Sequence, residues 1–216
     1  MDRKEPINLS FQPISHHIGL PYTSPDFYEL STILHKGIGF VKHMITMSKR
    51  GQFEDYKEDG DKVNKKITSI KSLREDLISN EDFNSPKERR YIRLKYVPPF
   101  IDDLKMSICN TFRSDISIIG QSGSFIYPPG GYMSWHNNHK RPGVRLYCVW
   151  SEEGGSEFKY FFDNEVRVIK EHKGWNINLF RIEAPPMKFW HSVSTDTYRL
   201  SLGFRINDKK DWKHSK

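Results

Sequence analysis

The sequence predicts a mainly β fold, a barrel or sandwich of about eight strands preceded by about three helices. Three observations carry that prediction. Past Arg113 the chain breaks into short segments rich in Ile, Val, Phe, Tyr and Trp: "DISIIG", "SGSFIY", "GYMSWHN", "VRLYCVW", "SEFKYFF", "EVRVI", "WNINLF", "MKFWHSV" and "YRLSLGFRI". Gly, Pro, Asn or acidic turns separate them, which is the punctuation of antiparallel strands. Upstream, apolar residues instead recur every three or four positions, the period of a helix with one buried face. Finally, 216 residues with 36% hydrophobic and 13% aromatic side chains can bury one sizeable core, and no repeat or low-complexity tract divides them. We therefore expect a single domain over 1–216, with an arm and supporting helices in 1–112, the β core in 113–206 and a basic tail in 207–216.

In chain order, residues 1–25 have few periodic apolar positions and several Pro and Gly, which predicts an extended arm wrapped on the domain. Phe27, Leu30, Leu34, Ile38, Val41 and Ile45 then form one helical stripe, weakened in its middle by Gly37 and Gly39. His35 and His43 lie on or near this helix and receive no role. Residues 50–62 are polar and mixed in charge, a surface loop. Val63, Ile67, Ile70, Leu73 and Leu77 predict a second helix whose other face, Lys65, Lys66, Lys71 and Arg74, is basic. "RRYIRLKY" alternates, predicting a strand with Tyr91, Arg93 and Lys95 on a solvated face and Ile92, Leu94 and Tyr96 opposite. "VPPF" stops it, and Ile101, Leu104, Ile108 and Phe112 predict a third helix.

The net charge of +7 fits a Lys-rich solvated surface or an anionic partner. No aromatic-and-basic reader motif is present, so a nucleic-acid partner is not expected. Cys109 and Cys148 sit in apolar surroundings without C-x-x-C spacing, which points to reduced thiols. The N-terminus lacks a signal-like apolar run, and no stretch approaches ~18 apolar residues. A soluble, cytoplasmic protein without a membrane span is expected. Nothing in the pattern indicates an oligomeric state.

The densest chemistry lies in "YPPGGYMSWHNNHKRPGVRLY", from Tyr127 to Tyr147. If the strand continues through it, Ser134, His136 and Asn138 share one face while Trp135 and Asn137 point away. A second histidine, His191, falls in the aromatic strand "MKFWHSV". Beyond it, alternation places Arg199, Ser201, Gly203 and Arg205 on one face of "RLSLGFRI", opposite Leu200, Leu202, Phe204 and Ile206. His139 is expected at the edge of the site and His172, between Glu171 and Lys173, on a surface turn.

In their order and spacing, "YPPGG", "WHNN", "RLYCVW", "SEEGGSEFKYF", "KGWNINLF", "FWHSVS" and "YRLSLGF" make the chain resemble the Fe(II)- and 2-oxoglutarate-dependent oxygenases, particularly the prolyl-hydroxylase-like branch. The resemblance runs from about Ile116 to Ile206 and does not extend to the helices. It implies a double-stranded β-helix, a jelly-roll or cupin-like barrel, holding Fe(II) at its mouth through His136 and His191. It further implies 2-oxoglutarate received by Arg199 and Ser201, with Tyr127 and Tyr147 as further donors. A guanidinium clamps a carboxylate bidentately, and a hydroxyl two residues along the strand joins it on the same face. With O2, such a site couples decarboxylation of 2-oxoglutarate to succinate and CO2 with hydroxylation of an unactivated C–H bond. The substrate would be a small molecule or peptide side chain, an anionic one being compatible with the charge.

One departure stands out: Asn138 occupies the position of the usual acidic ligand. The facial triad of such sites is two His and one carboxylate. Three outcomes stay open. Asn138 ligates through its amide oxygen and supports hydroxylation; it leaves the position to water or halide, as in a halogenase; or the barrel is catalytically silent and binds an anionic partner.

Overall fold

The computed structural model describes residues 6–11, 25–51, 56–57, 89–94, 97–111, 116–163, 165–183 and 189–208. In chain order its elements are β1 (Ile7–Phe11), α1 (Pro25–Lys36), α2 (Ile38–Lys49), β2 (Tyr56–Lys57), β3 (Arg89–Arg93), α3 (Ile101–Thr111), β4 (Ile116–Tyr127), β5 (Gly131–His136), β6 (Gly143–Ser151), β7 (Ser156–Phe162), β8 (Glu165–Glu171), β9 (Gly174–Ile182), β10 (His191–Thr195) and β11 (Arg199–Asp208). The helix expected through Val63–Leu77, Phe112, most of the polar stretch 50–62 and the tail beyond Asp208 lie outside the described residues.

The pairing of β4 to β11 is nested: β4 with β11, β5 with β10, β6 with β9 and β7 with β8, all antiparallel. The chain thus doubles back at the β7–β8 hairpin, and the doubled ribbon winds into two facing sheets. This is a double-stranded β-helix, as expected. The strand order is β1-β9-β6-β11-β4-β3-β5-β10-β7-β8. The larger sheet runs from β1 to β4, the smaller from β5 to β8, and β3 joins them by pairing with both β4 and β5. Part of the arm is extended, because Ile7–Phe11 pairs with Trp175–Leu179 of β9.

Period-two alternation gives the larger sheet two buried faces. Val144, Leu146, Cys148, Trp175, Ile177, Leu179, Leu200, Leu202, Phe204 and Ile206 point outward and meet Leu30, Leu34, Val41, Leu104 and Ile108 from the helices. Leu104 and Ile108 are wholly buried, each contributing roughly 2 kcal/mol of transfer free energy. Its opposite face lines the barrel with Tyr127 and Phe180, which meet Met133, Phe158, Tyr160 and Val193 of the smaller sheet and Phe189 just before β10.

Two local expectations change. The first apolar stripe forms two helices broken at Gly37, where a Cβ would lie 2.6 Å from the Phe100 ring; only glycine lets that ring cross the backbone. Tyr91 is not on a solvated face: it is buried in the barrel, 4.4 Å from the Phe125 ring, because β3 has the helices on one side and the barrel interior on the other. Cys148 is wholly buried and Cys109 half-buried, both free thiols; burial pushes the Cys148 thiol up. Among the described residues, no helix is long and apolar enough to cross a membrane.

Candidate metal centre

The "YPPGG" corner delivers the first histidine strand. Gly131 N–H donates to the Pro128 carbonyl (2.7 Å), and a Cβ at Gly131 would meet that oxygen at 2.6 Å. With Gly130 at φ +73°, the chain can therefore turn from β4 in one sheet into β5 in the other. At the far end of β5, His136 pairs in register with His191, the first residue of β10. Their rings lie 4.1 Å apart, centroid to centroid, and both side chains are buried.

The hydrogen bonds fix the tautomers. His136 Nδ1 lies 2.8 Å from the Ser134 carbonyl and His191 Nδ1 3.0 Å from the Phe189 carbonyl. A carbonyl only accepts, so each Nδ1 carries the proton and each Nε2 presents a lone pair. That is the arrangement a metal-ligating imidazole needs, with its other nitrogen anchored to the backbone. Burial pulls the His136 pKa down to about 4 against the opposing Ser134 bond. Burial also lowers His191 well below its usual value, helped by His136 and Arg145. Both rings are neutral and ready to ligate.

Asn138 reaches this pair by a different route from the one alternation predicts. The β10–β5 register steps from His191↔His136 to Val193↔Met133, so two residues of β10 face three of β5. This bulge turns both Met133 and His136 inward, sends Trp135 outward against Trp190, and breaks the shared face of 134, 136 and 138. β5 then ends at His136, and Asn138 adopts φ 52°, a left-handed conformation that Asn tolerates. Its Nδ2 sits 3.4 Å from His191 Nε2. Exchanging the two ends of the amide presents Oδ1 in the same direction. The Asn138 carbonyl accepts from Arg141 N–H (2.9 Å), and Asn137 Oδ1 accepts from the His139 backbone (3.1 Å), which holds the loop. His139 is half-buried beside the site and His172 is exposed. Among the described residues, no three His, Cys, Asp or Glu side chains converge.

About four residues of strand separate His191 from Thr195, so the opposite end of the barrel lies ~13 Å away. Here Arg199 and Ser201 face the interior, as alternation predicts, but Arg199 is already engaged. Its Nε donates to Glu171 Oε2 (2.7 Å) and its Nη2 to Glu171 Oε1 (2.8 Å), while Asn178 Nδ2 donates to the same Oε1 (2.8 Å). The two side chains are 3% and 0% exposed. Burial opposes the Arg199 charge, yet the Glu171 carboxylate and its hydrogen bonds outweigh burial and hold the guanidinium above its usual value. The Tyr127 ring stacks 5.0 Å from the guanidinium, while Ser201 Oγ, buried two residues on, has no hydrogen-bond partner among the described residues. Burial pushes the Tyr127 and Tyr147 phenols up, so both are neutral donors; Tyr147 lies parallel to Phe180 (5.6 Å), which in turn packs on His191 (5.4 Å).

Glu171 is the buried partner of Arg199 that sequence reasoning missed. Its signal was faint: it sits two positions after Ile169, whose side chain packs on the barrel interior, so alternation aims both inward. The charged run "KEHKG" pointed instead to a surface turn.

No family model and no curated protein matches the chain significantly. Among solved structures, a Pseudomonas putida prolyl-4-hydroxylase is similar at 12% identity, covering 82% of this chain and 99% of that one, with a TM-score of 0.43. A Trichoplax adhaerens prolyl hydroxylase, in complex with a peptide fragment of the hypoxia inducible factor oxygen degradation domain, is similar at 13% identity, covering 87% and 80%, with a TM-score of 0.44. The Drosophila melanogaster CENP-C cupin domain is similar at 10% identity, covering 56% and 66%, with a TM-score of 0.28.

Proposed function

We propose that this protein is a mononuclear non-haem iron oxygenase whose ion is held by His136 and His191, with the Asn138 amide oxygen as a weak third ligand. The observation that carries this reading is the pair of neighbouring Nε2 lone pairs, each freed by an Nδ1–H bond to a backbone carbonyl. His136, His191 and Asn138 would hold the iron, which would supply oxygen activation next to a bound substrate. The protein's part is orientation and exclusion of water. The carbonyls of Ser134 and Phe189 fix the two rings, and Phe158, Phe180 and Phe189 pack around His191 and dry its surroundings. Among the described residues no carboxylate joins the set, so a dication held there would keep its full charge and favour an anionic group on the incoming ligand.

Coupling to 2-oxoglutarate and hydroxylation of an unactivated C–H bond is the finer form of this reading. It does not fit the residues as they stand: the implied clamp needs an uncompensated guanidinium at Arg199, and Glu171 takes its Nε–Nη2 edge and balances its charge. The halogenase alternative needs an empty third position, which the Asn138 side chain fills. The filled Arg199 and the missing acidic ligand favour a second reading, a catalytically silent barrel that binds a partner. One experiment separates them. Anaerobic Fe(II) followed by nitric oxide, an O2 surrogate, gives a high-spin iron–nitrosyl resonance from the oxygenase, weakened by Asn138→Ala and lost in His191→Ala. A silent barrel gives none.

A further inference from the structure

A carboxylate at the buried end of Arg199 is an unusual feature to build from the chain itself. Glu171 meets the guanidinium edge-on through two parallel N–H···O bonds, the geometry in which arginine recognises a free carboxylate ligand. Asn178 supplies a third donor to the same group. Yet the seat is incompletely used. Ser201 Oγ, on the same barrel-facing side of β11, is buried without a partner among the described residues. Ser151, opposite Arg199 on β6, and Ser156, opposite Glu171 on β7, join their hydroxyls to each other (3.0 Å), and Ser156 joins Thr195 (2.8 Å). This end of the barrel is therefore polar and buried, and β8 delivers a carboxylate there from its last residue.

We propose that Glu171 is a built-in ligand: its carboxylate occupies the seat that the resemblance assigns to the distal carboxylate of 2-oxoglutarate, so the native chain does not take that cosubstrate at Arg199 and acquires the capacity when the Glu171 side chain is removed. Glu171 is thus a specificity-determining residue that excludes dicarboxylates from the barrel. The pair lies at the opposite end of the barrel from the histidines, so this proposal refines the metal-site reading without depending on it.

The test uses metal-free full-length chain, which keeps the two questions apart. Wild type, Glu171→Gln, Glu171→Ala and Glu171→Ala/Arg199→Gln are titrated with 2-oxoglutarate by calorimetry, and their melting temperatures are followed with acetate against acetamide. Ala empties the seat and frees the guanidinium, whereas Gln removes the charge but still fills the seat. We expect no saturable 2-oxoglutarate binding to wild type, saturable binding to Glu171→Ala at least about tenfold tighter than to Glu171→Gln, as a bidentate charge-assisted pair provides, and its loss in the double variant. Acetate, but not acetamide, should raise the melting temperature of Glu171→Ala. Where a single variant does not fold unaided, refolding that succeeds only with acetate supports the proposal, and refolding that acetate does not help overturns it. Wild-type binding of 2-oxoglutarate that Arg199→Gln weakens, or a folded Glu171→Ala that takes neither acetate nor 2-oxoglutarate, also overturns it. A failed iron titration alongside a gained carboxylate site would sink the metal reading and leave this one standing.

Discussion

Removing one member of the Glu171–Arg199 pair should cost far more than removing both. With side chains 0% and 3% exposed, either single variant strands a charge or its hydrogen-bond partners in the barrel. Two unit charges about 4 Å apart interact by ~4 kcal/mol at an effective dielectric of 20. Breaking a buried pair from one side typically costs about 3–5 kcal/mol. Arg199→Gln and Glu171→Gln should each lose that much. The double variant, two amides able to bond each other, should fall within about 2 kcal/mol of wild type because no buried charge remains. The coupling across the cycle would then exceed about 3 kcal/mol. For a chain of this length the single variants should melt roughly 6–20 °C lower, at about 2–4 °C per kcal/mol. Urea unfolding of the four proteins measures the cycle directly. If the double variant is no more stable than the worse single one, the two side chains are not coupled, and the buried ion pair is not the anchor of this end of the barrel.

Three further outcomes follow from the geometry. Asn138→Asp restores a charged oxygen next to His191 Nε2 and should tighten Fe(II) or Co(II) binding at least about tenfold, read by calorimetry; unchanged affinity would mean position 138 does not reach the ion. Gly203→Ala places a Cβ 2.4 Å from Tyr147 and 2.5 Å from Ser122 Oγ, so it should push the Tyr147 ring off Phe180, destabilise the fold by about 1–3 kcal/mol and shift the His191 ring resonances, whereas wild-type-like stability would contradict that packing. The metal-free protein should lose stability as the pH falls from about 6.5 to about 4. His136 is neutral when folded down to about 4, so across that window the unfolded chain binds the extra proton and stability drops by roughly 3 kcal/mol from this residue, while a flat acid limb in urea midpoints would speak against its burial.

The sequence carried the winding of the barrel because its β segments are short, aromatic and cleanly punctuated, and the alternation of Arg199, Ser201 and Gly203 against Leu200, Leu202 and Phe204 survived intact. His136 and His191 were legible as a pair and meet in register across β5 and β10. What alternation cannot encode is a bulge. Met133 and His136 both face inward because one extra residue is inserted between them, and Asn138 arrives through a left-handed turn after the strand has ended. Tyr91 was misplaced for a related reason: β3 bridges the two sheets, so the face that looked solvated from its arginines is the barrel wall. Glu171 was hidden because its value depends on a partner 28 residues away, and a charged side chain in a charged run carries no mark of the guanidinium that will bury it.

The most direct test is a calorimetric titration of chelator-treated protein with Fe(II) under anaerobic conditions, repeated with His136→Ala and His191→Ala. The tautomers and the shared mouth of β5 and β10 predict one ion per chain, its binding abolished by either substitution while the fold persists. Stoichiometric binding that both substitutions leave unchanged, or none to wild type, would contradict a metal centre at this pair.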